Sequence, residues 1–125
     1  LAEKRLRDFN SLIPNSYAIS MLLANTLQKN GDYKSAQIVL NSLAETRPNQ
    51  ADIWYALAEI NGLAGDILSL HRARAEFFLL HGNFDQAKHH LLLALKLAGK
   101  HYQLAAQIKQ RAKEIQTIQQ QVERL

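Results

Sequence analysis

The side chains best suited to chemistry in this sequence are five histidines, His71, His81, His89, His90 and His101. None stands in a catalytic pattern. His89 and His90 are adjacent, and neighbours on a helix point about 100° apart, so the two cannot readily share one metal ion. His81 and Asp85 face each other across a glycine break, but two ligands across a turn fall short of the three or four a metal site needs. Ser11, Ser16, Ser20, Ser35, Ser42 and Ser69 fall in caps and helix faces, with no G-x-S-x-G turn to expose a nucleophile. Gly62 and Gly65 are not followed by Lys-Ser or Lys-Thr, so no phosphate loop is formed. Asp52 and Glu59 share a helix face but lie two turns apart, too far for an acid–base pair. Cysteine is absent, which removes thiolate nucleophiles, Cys-ligated zinc and disulfides. The expectation is a chain with no catalytic residue, no metal ligand set and no cofactor of its own.

The elements that carry these residues are helices set out with a period. Pro14 and Pro48 are 34 residues apart, as are Gly31 and Gly65, and the next proline phase falls on Gly82. Between these breakers, apolar residues recur three or four apart, the rhythm of one helix face: Ile19, Leu22, Leu23 and Leu27, then Tyr33, Ala36, Leu40 and Leu43. Asn30-Gly31 stops the first of these helices, and Asp32 is placed to cap the second. The scheme returns with Ile53, Trp54, Leu57 and Ile60 after a start at Asn49 or Asp52, then with Gly65 as the stop and Asp66 as the cap. Gly82 follows Gly65 by only 17 residues, so helix 66–81 must close one unit and open another. Ala2, Leu6 and Phe9 precede Pro14 as Ala36, Leu40 and Leu43 precede Pro48, so the chain is expected to begin inside the second helix of a truncated repeat. After Gly99 a final helix carries a thin stripe of Leu104, Ile108, Ala112, Ile115, Ile118, Val122 and Leu125 on a Gln- and Lys-rich surface. Its first part is expected to cap the stack, and its tail beyond about residue 113 to project, pair with another chain or fray.

Composition agrees with one ordinary globular domain: 125 residues, 47% hydrophobic and 21% charged. No apolar run reaches the roughly 18 residues a membrane span needs. The net charge of +4 is local. Residues 86–113 hold five lysines, Arg111 and no acid, whereas residues 1–85 carry eight bases against nine acids. The basic stretch lacks interleaved aromatics, with only Tyr102 nearby, so nucleic acid is not the expected partner. An acidic or phosphate-bearing partner, an anionic membrane surface included, stays open. The first residue is Leu1 rather than Met, and the chain reads as a piece of something longer.

These residues resemble the tetratricopeptide repeat (TPR), a 34-residue helix–turn–helix unit with the pattern W-x2-L-G-x2-Y, A-x3-F and P. The first repeat matches with Leu23-Ala24-x2-Leu27, Gly31, Tyr33, Ala36-x3-Leu40 and Pro48, and the second with Trp54-x2-Leu57-Ala58 and Gly65. The third offers Ala75-x2-Phe78, Gly82, Phe84 and Ala87-x3-Leu91. The resemblance implies an all-α solenoid of about seven helices in a right-handed superhelical stack. Residues 1–14 would be the second helix of a truncated repeat, with repeats at 15–48 and 49–82, an overlapping unit at 66–99 and a capping helix at 100–125. It also implies a protein-interaction module that binds a partner protein or peptide in a concave groove lined by the first helix of each unit. On that mapping the groove residues are Met21, Asn25, Gln28, Asp52, Tyr55, Glu59, Arg72 and Glu76. His71 and Arg74 occupy positions usually filled by Trp and Leu, and offer a polar notch for a partner's carboxylate or, more blandly, two exposed side chains.

Residues 73–87, followed by the Gln-rich final helix, are also similar to the C-terminal TPR region of BepA/YfgC-like zinc metalloproteases. That resemblance implies the non-catalytic part of a periplasmic enzyme that tends outer-membrane protein assembly. The H-E-x-x-H motif and its zinc would belong to a protease domain outside this sequence. The partners would be that protease domain and outer-membrane assembly proteins. The alternative is a stand-alone TPR scaffold that self-associates through residues 114–125.

Overall fold

Regular spacing of apolar residues between glycine and proline breaks yields helices. The computed structural model describes residues 2–12 and 16–125. It shows α1 (Ala2–Leu12), α2 (Tyr17–Lys29), α3 (Tyr33–Thr46), α4 (Ala51–Leu63), α5 (Ile67–Leu80), α6 (Phe84–Ala98) and α7 (Tyr102–Glu123), with no strand among the described residues. Each helix packs against its neighbours in sequence, the arrangement of a helical solenoid. Pro14 and Leu1, used above to set the register, lie outside the described residues.

Three of the turns are built alike. After α2, the amide of Asp32 donates to the Leu27 carbonyl (2.9 Å) and Gly31 stands at φ +80°. After α4, Asp66 donates to Asn61 (2.9 Å) with Gly65 at φ +78°. The left-handed backbone that closes such a motif is free of Cβ crowding only for glycine. The Asp32 and Asp66 carboxylates then accept from the amides of Ser35 and Ser69, capping α3 and α5. The third copy comes early. Asn83 donates to the Phe78 carbonyl (2.9 Å) and its side chain caps α6 by accepting from Gln86. The α5–α6 connection thus repeats the turn that joins α2 to α3, half a period ahead of phase, and α5 packs against both α4 and α6. The α3–α4 connection differs. It runs through Arg47–Gln50, and the Trp54 indole donates to the Pro48 carbonyl (2.8 Å).

Small residues sit where helices cross. Ala24, Ala36, Ala58, Ala75 and Ala87 are all buried, none more than 7% exposed. Large aliphatic residues fill the space between them, with Leu27, Leu43, Ile53, Ile60, Ile108 and Ile115 sealed or nearly sealed from solvent. The core falls into two clusters. One is built by α2–α4 with Ala73, the other by α6 and α7 with Ala75.

Three local expectations are corrected. Helix α4 begins at Ala51 after Gln50, not at Asn49 or Asp52: Asp52 lies inside the first turn, and its carboxylate accepts from the Tyr17 hydroxyl instead of capping the helix. In α1 only Leu6 packs on the core, while Ala2 is exposed and Phe9 is 44% exposed. The packing differs from that of Ala36 and Leu43 because α1 lies against α2, whereas α3 lies between two helices. The tail of α7 does not fray after residue 113, and only its last turns stand clear. It remains helical to Glu123, Ile115 is fully buried, and the Lys88 ammonium donates to Gln116 (3.2 Å) and Gln119 (2.8 Å).

Candidate functional site

Helical spacing sets the first surface. Met21, Asn25 and Gln28 fall on one face of α2, and Asp52, Tyr55 and Glu59 on one face of α4. The two faces meet in a cleft of about 360 Å³ lined by all six. Two cross-links hold them together. The Tyr17 hydroxyl donates to the Asp52 carboxylate, and the Gln28 amide donates to Glu59 (2.9 Å). The Arg47 guanidinium lies over the Tyr17 ring, 5.8 Å from its centre. Asp52, Gln28 and Glu59 therefore have partners within the chain. Asn25 and Tyr55 are exposed and make no hydrogen bond among the described residues, which leaves their polar groups free for a ligand.

Tyr55 also belongs to a second, adjoining cleft of about 250 Å³, with Glu59 from α4 and Arg74, Phe77 and Phe78 from α5. Its ring leans on Phe77 at 5.8 Å and it remains 62% exposed. Tyr55 and Glu59 join the two clefts into one strip across α2, α4 and α5. Arg74 is exposed and has no ion pair among the described residues.

Arg72 and Glu76 are not part of that strip. They face the opposite side of α5 and line a cleft of about 590 Å³ with Glu45, Trp54, Arg111 and Glu114. There Arg111 forks onto Glu76 through two bonds of 2.7 and 2.9 Å, with Glu114 at 3.3 Å. Glu76 holds the guanidinium firmly protonated against the opposing effect of burial. The groove expected from eight residues is thus six residues on one surface and two on another. On α5 a rotation of 100° per residue turns Arg74, Phe77 and Phe78 toward Tyr55 and carries Arg72 and Glu76 away.

The His71–Arg74 notch does not form. Arg74 lines the aromatic cleft, whereas His71 turns toward α6, its Nδ1 3.0 Å from Nδ1 of His90. The two rings stack at 5.2 Å, and His90 stacks nearly parallel on Phe78 at 5.3 Å. Burial, followed by the charges of His71, Arg74 and His89, pushes the His90 imidazole down to about 4. Burial also lowers His71, with Arg74 and His89 adding to the effect. Two neutral rings can share one hydrogen bond, one donating and one accepting; two protonated rings cannot. Among the described residues no group of three His, Asp or Glu side chains comes together to hold a metal ion.

The last surface is the α7 stripe. Ile118 and Val122 line a cleft of about 510 Å³ with Leu79, Leu80 and Phe84, bounded by the Arg111–Glu76 fork. Val122 is 47% exposed and Leu125 fully so. Neither the Glu76–Arg111 pair nor the His71–His90 pair was signalled in the sequence, since partners 35 and 19 residues apart leave no local pattern. Phe77 beside Tyr55 could have been found by rotating α5 onto α4.

The described residues form a stack of helices, each packed against its neighbours in sequence, with clefts between them. Residues 2–60 match the family model of the tetratricopeptide repeat. With the helical repeats of the fold, that match supports a TPR domain, a non-catalytic fold that generally mediates protein–protein interaction. No match to a curated protein is found. No helix among the described residues is long and apolar enough to cross a membrane.

Proposed function

We propose that the chain holds a segment of a partner protein along the strip formed by α2, α4 and α5. The observation that carries this is Tyr55, exposed, without a hydrogen bond among the described residues and common to two adjoining clefts. Met21, Asn25, Tyr55 and Phe77 supply contact, and Asp52, Gln28 and Glu59 hold the two helices in register. Arg72 and Glu76 serve a separate surface. Selecting peptides on the wild-type chain and re-measuring them on a Tyr55→Ala, Asn25→Ala double variant tests this. Exposed aromatic anchors commonly contribute about 2 kcal/mol or more, so affinity should fall at least about tenfold. Unchanged affinity in the double variant would show that the strip is not the binding surface.

The finer reading rests on the resemblance of residues 73–87 and the Gln-rich helix. It makes the chain the interaction half of a periplasmic zinc metalloprotease, positioning outer-membrane assembly partners or clients near an active site carried elsewhere, where the zinc would reside. Tethering raises the local concentration of substrate without any new chemistry here. The sequence upstream of Leu1 decides it. An H-E-x-x-H motif and a secretory leader there support this parent, and a different domain removes it.

The exposure of Val122 and Leu125 favours a second reading, self-association through the end of α7. Ile115 is already spent inside the chain, so only the last turns are free. Sedimentation with and without residues 119–125 distinguishes the two. A dimer lost on truncation supports the scaffold, and a monomer throughout removes it.

A further inference from the structure

We infer that the outer face of the α6–α7 hairpin docks on an anionic phospholipid surface. Lys88, Leu92 and Lys96 follow one another at four-residue spacing on α6, and Tyr102, Lys109 and Lys113 share a face of α7. The Lys88 ammonium bridges to Gln116 and Gln119, which sets the two rows side by side on one surface. Lys96, Lys109 and Lys113 are exposed and have no ion pair among the described residues. Lys100 adds a fourth exposed ammonium at the turn. Residues 86–113 contain no acid, and the one carboxylate of α6, the exposed Asp85, stands one turn before Lys88 at the edge of the row. Glu114, at the edge of that run, is turned to Arg111 on the cleft side of α7.

The apolar members choose between partners. Leu92 is 53% exposed and Tyr102 77% exposed, both amid lysines. A leucine and a tyrosine suit the headgroup–acyl boundary, where an apolar body and a polar tip are both accommodated. Single-stranded nucleic acid would call for successive stacking aromatics, and Tyr102 stands alone. The face is separate from the α2–α4–α5 strip, so a partner bound there would be presented at the membrane.

Flotation of the full chain with phosphatidylcholine vesicles, with and without phosphatidylglycerol, tests the inference. Binding is expected only with the anionic lipid and should weaken with added salt. Each lysine near such a surface contributes about fivefold in partitioning, so Lys96→Glu, Lys109→Glu and Lys113→Glu together should cost about a hundredfold or more. Leu92→Ser with Tyr102→Ser leaves the charge intact and should cost about tenfold. All five positions are exposed, and far-ultraviolet circular dichroism checks that the variants stay helical. Equal binding to neutral vesicles, no binding to either, indifference to the Leu92 and Tyr102 changes, or displacement from anionic vesicles by a tighter-binding single-stranded RNA would each overturn it.

Discussion

Replacing His90 with glutamine should reduce the acid sensitivity of this fold. His90 is 9% exposed, stacked on Phe78 and bonded to His71, and every charge that acts on it is positive. Its imidazole is held down at about 4 in the folded chain, against 6.5 when unperturbed. The unfolded chain therefore binds the extra proton first. Stability is complete above about pH 6.5, falls as the pH drops through the window to about 4, and loses nothing more from this group below that. At pH 5 the loss works out to about 2 kcal/mol, approaching about 3 kcal/mol below pH 4. Urea denaturation of the wild type and of His90→Gln at pH 7 and pH 5 isolates the term, because the other titrating groups are common to both. Glutamine retains a hydrogen-bonding group for His71 but cannot take a proton in this range. The variant's drop in stability from pH 7 to pH 5 should be smaller than the wild type's by about 2 kcal/mol. Equal drops, or an NMR titration of His90 centred near 6.5, would refute the reasoning.

The remaining predictions concern packing and termini. Ala75→Leu or Ala87→Leu forces bulk into a fully buried helix crossing and should cost about 1–3 kcal/mol, read as a lower denaturation midpoint; an unchanged midpoint would mean the helices can separate freely. Asp32→Ala and Asp66→Ala each remove a side-chain cap and should cost about 1 kcal/mol, with Asn in place of either Asp restoring most of it. Arg111→Met strands the partly covered Glu76 carboxylate and should cost about 1–2 kcal/mol, and Arg111→Lys should recover only part, since an ammonium cannot reproduce the two-pronged bond. A neutral Arg111→Met would place the fork among surface pairs of no consequence.

Much of the fold was legible because it is written in local chemistry. Gly31 with Asp32 and Gly65 with Asp66 announce a stop and a cap within two residues, and the structure uses both pairs as such. The spacing of Ala24, Ala36, Ala58, Ala75 and Ala87 likewise marked the close crossings, and all five are buried. What escaped depends on rotation and on distant partners. Arg72 and Glu76 were assigned to the same surface as Tyr55, but spacing alone says which residues share a face, not which neighbour that face meets. Asp52 looked like a helix start, but it lies inside the first turn of α4 and its carboxylate accepts from Tyr17, 35 residues earlier. The end of α7 looked free because its stripe is thin, yet Ile115 is wholly enclosed.

Ala73 and Ala75 are two residues apart on α5, point to opposite sides and belong to different cores. The helix is thus a party wall, and damage on one side leaves the other side of the wall standing but unroofed. If α6 and α7 melt first, the lower half survives with the Ala75 face bare to water. Backbone amides of α5 should then be the last in the chain to exchange their hydrogens, since opening them requires both halves to give way.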